Sequence, residues 1–273
     1  MQKEQKYAKK CFDEVANNYD EIEFFKISAS HVSDMIQKHV GTRPIKMLDV
    51  ACGTGNVVLE CASRMPKSTF TAIDISEGML TRARARANAT RDNLDNIEFH
   101  VQEISTLDTT KKYDVITCAY ALFFLAEPPA VLRSLVSLLR PMGIVIFTTF
   151  TDQAFVPSSE IFLTLLKKYG SQSAIDYDTN AWTNLKYNKD INRLCGLAYV
   201  ADMKIEKKEI RYGLSVDEWW ELMNNTGFKG MLMELKSEDY ESVKSEYYTQ
   251  MLKHADMDGE VELIADSYFV LVK

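Results

Sequence analysis

Residues 47–56 read Met47-Leu48-Asp49-Val50-Ala51-Cys52-Gly53-Thr54-Gly55-Asn56 and give the clearest structural signal in this chain of 273 residues. The first half is apolar except for one acid and predicts a buried strand, and the segment 57–62 after it predicts a helix. The two glycines lack a Cβ, so they can adopt positive φ and let a ligand approach the backbone closely. A strand that leads through a glycine turn into a helix is a general nucleotide-binding arrangement.

Apolar strands and helices alternate around this turn. We predict strands at 47–51, 69–74, 97–101, 113–118 and 143–150, with helices at 57–64, 77–89 and 129–139 between them. This alternation predicts an α/β fold with a parallel sheet that is covered on both faces. Helices are predicted before the first strand, at 7–18 and 31–39, and a polar strand at 201–212. No repeat or long linker is present, so we expect one domain with an elaborated second half.

The composition argues against several classes of function. The 32 basic and 39 acidic residues give a formal net charge of −7, which does not favour binding to the phosphate backbone of nucleic acids. No stretch reaches the roughly 20 apolar residues of a membrane span, and the segment 1–6 leads into polar sequence without a secretion signal. We therefore expect a cytoplasmic protein. The five cysteines include no CxxC pair, so neither a metal site nor a disulfide framework is predicted. The basic run 82–86 is expected to be a solvated helix face.

Two acidic residues follow the second and third predicted strands. Asp74 comes about twenty residues after the glycine turn, where nucleotide-binding α/β folds place an acid that binds the ribose hydroxyls. Its alternative role is a helix N-cap, although Ser76 could serve there instead. Glu103 follows the third strand at the same sheet edge and could accept a hydrogen bond from an exocyclic amine. Its alternative role is that of an exposed loop acid.

Taken in order, these positions resemble the class I S-adenosylmethionine-dependent methyltransferases, most closely the small-molecule branch with the ubiquinone/menaquinone-biosynthesis methyltransferases. The matching segments are 12–20, 48–56, 72–80, 113–116 and 138–143, in family order and at family spacing. The resemblance implies a Rossmann-like, seven-stranded, mostly parallel sheet whose last strand is antiparallel. It also implies an N-terminal helical lid at 1–45, a cofactor-binding core at 46–152, and helical cap insertions with the last strands at 153–273.

The resemblance implies which residues would hold the methionyl end of S-adenosylmethionine. Gly53 and Gly55 would pass under it, and Asp49 and Asn56 would lie near its amino group. Tyr19 matches the tyrosine that closes over this end of the cofactor in the family. Three further residues would line the cofactor here: Ala51, Cys118 and Ala119.

The adenosine end is assigned in the same way. Asp74 would hold both ribose hydroxyls, and Ile75 and Met79 would pack on the adenine. Glu103 stands where the family usually has Asp, facing the adenine amine, with Ile104 beside it. The longer side chain keeps the acceptor and adds one methylene.

Two other departures from the family pattern concern loops. Met142 replaces the first glycine of the usual Pro-Gly-Gly turn, which we expect to change a surface turn only. Phe123 and Phe124 occupy the loop after the fourth strand, where relatives often carry histidines or an Arg-Asn pair. This second change weakens any transfer of substrate identity from quinone methylation.

The acceptor site is predicted from aromatic residues. Those near the sheet edge and in the second half are the candidates for its lining: Tyr120, Phe123, Phe124, Phe150, Phe155, Trp182, Tyr187, Tyr212, Trp219 and Trp220. Such a pocket would suit a small aromatic molecule or a cationic amine, which aromatic faces attract. Core packing is the alternative explanation for each of these residues. His31, in the lid region, is the candidate base if the acceptor must lose a proton, and otherwise a surface residue.

The predicted function is transfer of a methyl group to a small-molecule acceptor, by in-line displacement that relies on alignment and desolvation. The acceptor atom (O, N, S or C) and the oligomeric state are left open. A nicotinamide-dependent oxidoreductase is disfavoured because Val58 stands where its third glycine would be. A catalytically silent cofactor-binding protein is a third hypothesis. Methylation of a macromolecule is a fourth, disfavoured by the acidic charge and by the segment 118–121, which lacks an Asn-Pro-Pro-Tyr motif.

Overall fold

The computed structural model describes residues 3–90, 94–107, 110–125, 127–177 and 185–273. Its helices are α1 Lys3–Val15, α2 Glu23–Val40, α3 Asn56–Arg64, α4 Glu77–Ala89, α5 Pro128–Ser137, α6 Ser158–Lys168, α7 Gln172–Ile175, α8 Asn188–Leu197, α9 Val216–Asn224, α10 Lys229–Leu232 and α11 Ser237–Met251. Its strands are β1 Lys46–Val50, β2 Thr69–Asp74, β3 Ile97–Val101, β4 Tyr113–Ala119, β5 Leu139–Phe150, β6 Met203–Lys208, β7 Arg211–Ser215, β8 Glu260–Ile264 and β9 Ser267–Val272.

Seven strands form one sheet in the order β3-β2-β1-β4-β5-β9-β6. The pairs from β3 through β5 are parallel, and β9 runs antiparallel to both β5 and β6. This topology confirms the predicted seven-stranded, mostly parallel sheet with an antiparallel last strand. The strand order reverses between β1 and β4, so the crevice beyond their carboxyl ends is where an open α/β sheet binds its ligand.

Helices cover both faces of the sheet because its central strands are apolar throughout. Every residue of β4 except the last is buried, and β1 is buried from its second residue onward. The helices α2 and α3 pack on one face and α5 and α8 on the other. Burial on both sides is the reason why these strands read as continuous apolar runs rather than as alternating ones.

The predicted strand at 201–212 is wrong in one respect, because the structure breaks it into β6 and β7. Asp266 lies against the break, where its buried carboxylate accepts hydrogen bonds from the Ile210 N–H at 3.2 Å and from two guanidinium nitrogens of Arg211 at 3.2 and 2.8 Å. Beyond it, β7 pairs with β8 in a separate two-stranded sheet. The helices α9 to α11 lie between these two strands in the chain, and with α6 they form a third, aromatic-rich core.

The first helices contact both the sheet layer and this third core. The α1 helix packs against α4 and α10, and α2, which begins at Glu23 rather than near His31, contributes Phe24 and Phe25 to the third core. The division into lid, core and cap at 45/46 and 152/153 remains a prediction. Within the described ranges, no helix combines the length and the apolar character that crossing a membrane requires.

Candidate active site

The glycine turn after β1 is held in a left-handed conformation by the acid that ends β2. Gly53 and Gly55 have φ of 58° and 86°, and Ala51 also has a positive φ of 52°. The buried Asp74 accepts from the Gly53 N–H at 2.8 Å and from the Ser76 N–H at 2.9 Å. Burial raises the pKa of Asp74 by more than these two hydrogen bonds lower it. Ser76, not Asp74, caps α4, so the alternative N-cap role of Asp74 is wrong.

A cavity of about 50 Å³ lies over this turn, and we call it the turn cavity. Six of the residues predicted for the methionyl end line it: Tyr19, Asp49, Ala51, Gly53, Asn56 and Ala119. Because four of them come from the carboxyl ends of β1 and β4 or the turn after β1, the cavity occupies the crevice that the strand order predicts.

Asp49 is the most unusual group in the turn cavity. Its Oδ1 accepts from the Thr117 hydroxyl at 2.6 Å, while its buried Oδ2 has no hydrogen-bond partner among the described residues. Burial raises the pKa of Asp49 to about 7, although the Thr117 hydroxyl and the nearby backbone N–H of Val58 lower it. A buried carboxylate oxygen without a partner is costly, and a cationic ligand group in the cavity would supply one.

Arg86 of α4 supports the turn from the other side. Its Nη1 donates to the Thr54 carbonyl at 2.7 Å and to Asn56 Oδ1 at 2.8 Å. Its Nε lies 3.4 Å from Asp20, which also receives a forked pair of bonds from Arg82 at 2.9 and 3.1 Å. The expectation that 82–86 is a solvated face is therefore wrong for these two arginines, because a buried acid from the N-terminal segment pairs with both.

Asp13 makes a second link between the N-terminal segment and α4. Its Oδ1 accepts from the Ser76 hydroxyl at 2.5 Å and from the Gly78 N–H at 3.0 Å. Asp13, Asp20, Arg82 and Arg86 were not among the predicted site residues. The two acids stand in the segment 12–20 that carries the resemblance, so the signal was available in the sequence.

The other predicted cofactor residues lie outside the turn cavity: Gly55, Asp74, Ile75, Met79, Glu103, Ile104 and Cys118. Gly55 packs so closely on α4 that a Cβ there would lie 3.3 Å from Ala83. Met79 is buried against Val15 and Ala16 of the N-terminal segment. Cys118 points into the core on the α5 face, where burial raises its pKa to about 12. The cofactor roles of these seven residues remain predictions.

A second cavity of about 410 Å³ lies beyond the turn cavity, and we call it the aromatic cavity. Of the described residues that line it, eleven are aromatic and none is a histidine. Tyr120, Phe123, Phe124 and Phe150 line it as predicted. Tyr120 has a φ of 51° and stacks on Phe150 with ring centroids 4.4 Å apart.

Five predicted candidates among the described residues line neither cavity: Trp219, Trp220, Tyr187, Tyr212 and His31. Trp219 is fully buried in the third core, where its indole donates to the Val261 carbonyl at 3.0 Å. Tyr187 is 44% exposed just before α8. His31 of α2 lines neither cavity and packs edge-on against Phe269, where burial lowers its pKa. These residues therefore lie outside both cavities, and the role of His31 as a base stays an untested prediction. Trp182 lies outside the described residues.

Two phenols stand between the two cavities. Tyr19 stacks on Phe25 at 4.7 Å, and burial together with the charge of Asp74 raises the pKa of Tyr19. The Tyr120 hydroxyl bonds to Ser28 at 2.7 Å and to Ser267 at 2.9 Å, and burial raises its pKa to about 12. Both phenols are therefore neutral near pH 7 and would position ligands rather than take protons from them.

The comparisons with known proteins agree with this geometry. The family model described as a methyltransferase domain matches residues 42–214. A malonyl-[acyl-carrier protein] O-methyltransferase of Bacillus cereus is 32% identical over 148 residues, which are 54% of this chain and 53% of the relative. A ubiquinone biosynthesis O-methyltransferase of Neisseria meningitidis is 28% identical over 175 residues, covering 63% of this chain and 71% of the relative. The chain thus spans about half the length of the first of these relatives.

Solved structures show the same fold. The plantazolicin methyltransferase BpumL, in complex with S-adenosylhomocysteine, has a TM-score of 0.56 at 16% identity and covers 99% of this chain and 95% of that one. The YcgJ protein of Bacillus subtilis has a TM-score of 0.56 at 15% identity, with 89% and 98% covered. Since the family model matches more than half of its residues, the chain belongs to the methyltransferase-domain family.

Proposed function

We propose that this protein transfers the methyl group of S-adenosylmethionine to a small-molecule acceptor held in the aromatic cavity. The observation that carries this proposal is that Tyr19, Phe25 and Tyr120 line both cavities. A cofactor whose methionyl end lies in the turn cavity would present its sulfur at these three rings. An acceptor in the aromatic cavity would meet the methyl group at the same place.

The residues of the turn cavity fit the methionyl group. The unpartnered Oδ2 of Asp49 suits the α-ammonium group. The side-chain oxygen of Asn56, Oδ1, already accepts a hydrogen bond from Arg86. The side-chain NH₂ of Asn56 is therefore the group left to donate to the α-carboxylate. When bound, S-adenosylmethionine supplies a methyl group on a positively charged sulfur. Asp74 would hold the ribose and Glu103 the adenine, as the resemblance implies.

The chain itself contributes alignment and exclusion of water. Aromatic rings enclose the acceptor side, and the two phenols between the cavities are neutral. Holding an acceptor atom close to the methyl group and in line with it lowers the barrier without a charged catalyst. The methyl group moves from sulfur to the acceptor oxygen as the sulfur–carbon bond breaks, and the proton of a hydroxyl acceptor leaves to solvent. The proposal therefore needs no histidine base, which agrees with the position of His31 outside both cavities.

The class of acceptor is part of the proposal. Both curated relatives are named O-methyltransferases, so we infer an oxygen acceptor first, before nitrogen, sulfur or carbon. The aromatic lining supports a small aromatic molecule or a cationic amine, as the sequence predicts. We also infer that the protein works in the cytoplasm on a free metabolite and not on nucleic acid.

Calorimetry and a turnover assay test this function. We expect S-adenosylhomocysteine to bind with micromolar-range affinity, and S-adenosylmethionine to be converted to it in the presence of an acceptor from a panel of phenols, carboxylic acids and amines. Tyr19→Ala should lower kcat/KM by about tenfold to a hundredfold, because a positioning ring between the two cavities is lost. His31→Ala, a matched ring deletion outside both cavities, should leave it unchanged.

Two results would contradict the proposal. A folded protein that does not bind S-adenosylhomocysteine would have no cofactor site of this kind. Tight binding without turnover on any acceptor class would instead favour the catalytically silent cofactor-binding protein.

A further inference from the structure

Two buried threonine hydroxyls in the aromatic cavity have no hydrogen-bond partner among the described residues. They belong to Thr151, which directly follows β5, and Thr226, which lies between α9 and α10. Both side chains are more than nine-tenths buried. Their neighbour Thr149 shows the usual outcome for such a group, because its hydroxyl donates to the Leu185 carbonyl at 3.0 Å.

An unpartnered buried hydroxyl needs a physical reason. Leaving one without a hydrogen bond costs free energy, and few are found in folded proteins. Here both lie in the wall of the same cavity, one on the sheet edge and one in the cap. The hydroxyl oxygens are not exposed to the cavity in the structure, so a ligand there becomes their partner when the threonine side chains turn about χ1 to face it.

The charged residues of the cavity wall do not select a charged ligand. Asp152 and Glu160 line the cavity together with Lys167 and Lys186, so their formal charges cancel. The remaining lining is dominated by aromatic rings. A neutral ligand gains from this apolar surface, whereas a charged one would lose its hydration without a net opposite charge to replace it.

We propose that the acceptor is a neutral aromatic molecule with ring hydroxyl or carbonyl groups, and that Thr151 and Thr226 recognise those groups. This inference rests on the proposed function and narrows its acceptor class. A threonine hydroxyl both donates and accepts, so it can pair with either kind of oxygen. Sites built to bond a ligand oxygen reject analogues that lack it much more strongly than apolar pockets reject a missing methylene.

Calorimetry on the protein saturated with S-adenosylhomocysteine tests this assignment with three probes of similar shape. They are naphthalen-2-ol, its methyl analogue 2-methylnaphthalene, and the cation trimethyl(2-naphthyl)ammonium. We expect the wild type to bind the naphthol about tenfold more tightly than the methyl analogue, as one good hydrogen bond to a buried group provides. The cation should bind more weakly than the naphthol.

Isosteric variants test whether the two threonine hydroxyls cause the preference for the naphthol over its methyl analogue. In Thr151→Val or Thr226→Val, the preference for the naphthol should fall by about threefold or more. Thr151→Ser and Thr226→Ser keep the hydroxyl and should keep the preference. Ser33→Ala removes a buried hydroxyl of α2 that lies outside both cavities and should change nothing. Thermal unfolding should show both valine variants at least as stable as the wild type, because they lose only an unpartnered hydroxyl.

Equal affinity for the naphthol and its methyl analogue in the wild type would overturn the assignment, as would an unchanged preference in both valine variants. Tightest binding of the cation would overturn it in favour of a cationic amine. These failures are distinct from failure of the proposed function, which is signalled earlier by a wild type that does not bind S-adenosylhomocysteine.

Discussion

At the scale of single residues, the protonation of Asp49 should affect both the stability of the protein and the binding of a ligand in the turn cavity. Burial raises the pKa of Asp49 to about 7. Without a ligand, the folded protein therefore keeps the Asp49 carboxyl proton at pH values where the unfolded chain has lost it. The stability of the empty protein should therefore fall as pH rises from about 4 to about 7. The charged form is needed to pair with an ammonium group, so ligand binding should show the opposite dependence.

We expect the affinity for S-adenosylhomocysteine to fall by up to about tenfold for each pH unit below about 7. Calorimetry at about pH 6 and about pH 8 measures this change in affinity. Repeating it in buffers of different ionisation enthalpy gives the number of protons taken up or released on binding. Asp49→Asn should bind more weakly and lose the dependence. Equal wild-type affinity at both pH values would show that Asp49 does not meet the ammonium group.

The sequence predicted the place of Asp49 but not its ionisation. The apolar run and the glycine turn locate it at the end of β1. Its raised pKa depends on complete burial and on Thr117, which is distant in the chain and adjacent only because β4 pairs with β1. Three-dimensional neighbours of this kind are not visible in a local pattern.

At the scale of elements, α4 connects the N-terminal segment to the glycine turn. Arg86 bonds the turn and lies near Asp20, and Arg82 forks onto the same acid. The N-terminal segment and the glycine turn are therefore connected through one face of α4. The basic run was misread because Asp20, its partner, stands 62 positions before Arg82 in the chain.

Arg86→Lys tests this connection. A lysine has one ammonium group and cannot reach the turn, Asn56 and Asp20 together as a guanidinium does. We expect affinity for S-adenosylhomocysteine to fall about tenfold, and affinity for adenosine, which lacks the methionyl group, to change much less. Arg84→Lys, the same change on the same helix, should leave both affinities near the wild-type values, since Arg84 pairs with the exposed Glu77. Equal weakening of both ligands by Arg86→Lys would point to general damage to the fold instead.

At the scale of the whole molecule, the sheet was easier to predict than the cap. The parallel central strands follow from the βα alternation and the antiparallel last strand from the family resemblance, and both were confirmed. The cap depends on contacts between distant segments. The helical spacing of Trp219 is compatible with a pocket wall and with a core position. Its place in the core depends on a distant segment, because its indole N–H donates to the carbonyl of Val261 in β8.

The sheet and the cap are joined at Asp266, and this junction should control the stability of the whole chain. Burial would raise the pKa of Asp266, but Arg211, Lys207 and the Ile210 N–H together hold it below its ordinary value. Its stabilising contribution is therefore present above the ordinary pKa of an aspartate and is lost as pH falls through the lowered one.

We expect Asp266→Asn to lower the free energy of unfolding by about 2–3 kcal/mol at neutral pH. This is less than the roughly 3–5 kcal/mol for a fully buried pair, because the Arg211 and Lys207 side chains are 41% and 44% exposed. Denaturant unfolding at neutral pH and near pH 4 measures both the loss and its dependence on pH. The variant should lose less stability on acidification than the wild type, since it has no carboxylate to protonate.

Glu206→Gln supplies the control for this prediction, because Glu206 pairs with Lys204 and Lys208 of its own strand, β6, and not with the cap. A surface pair of this kind contributes about 1 kcal/mol or less. If Asp266→Asn unfolds with the wild-type free energy and the wild-type pH dependence, the break between β6 and β7 is not held by this carboxylate. In that case the cap must be fixed to the sheet by the packing of its aromatic core alone.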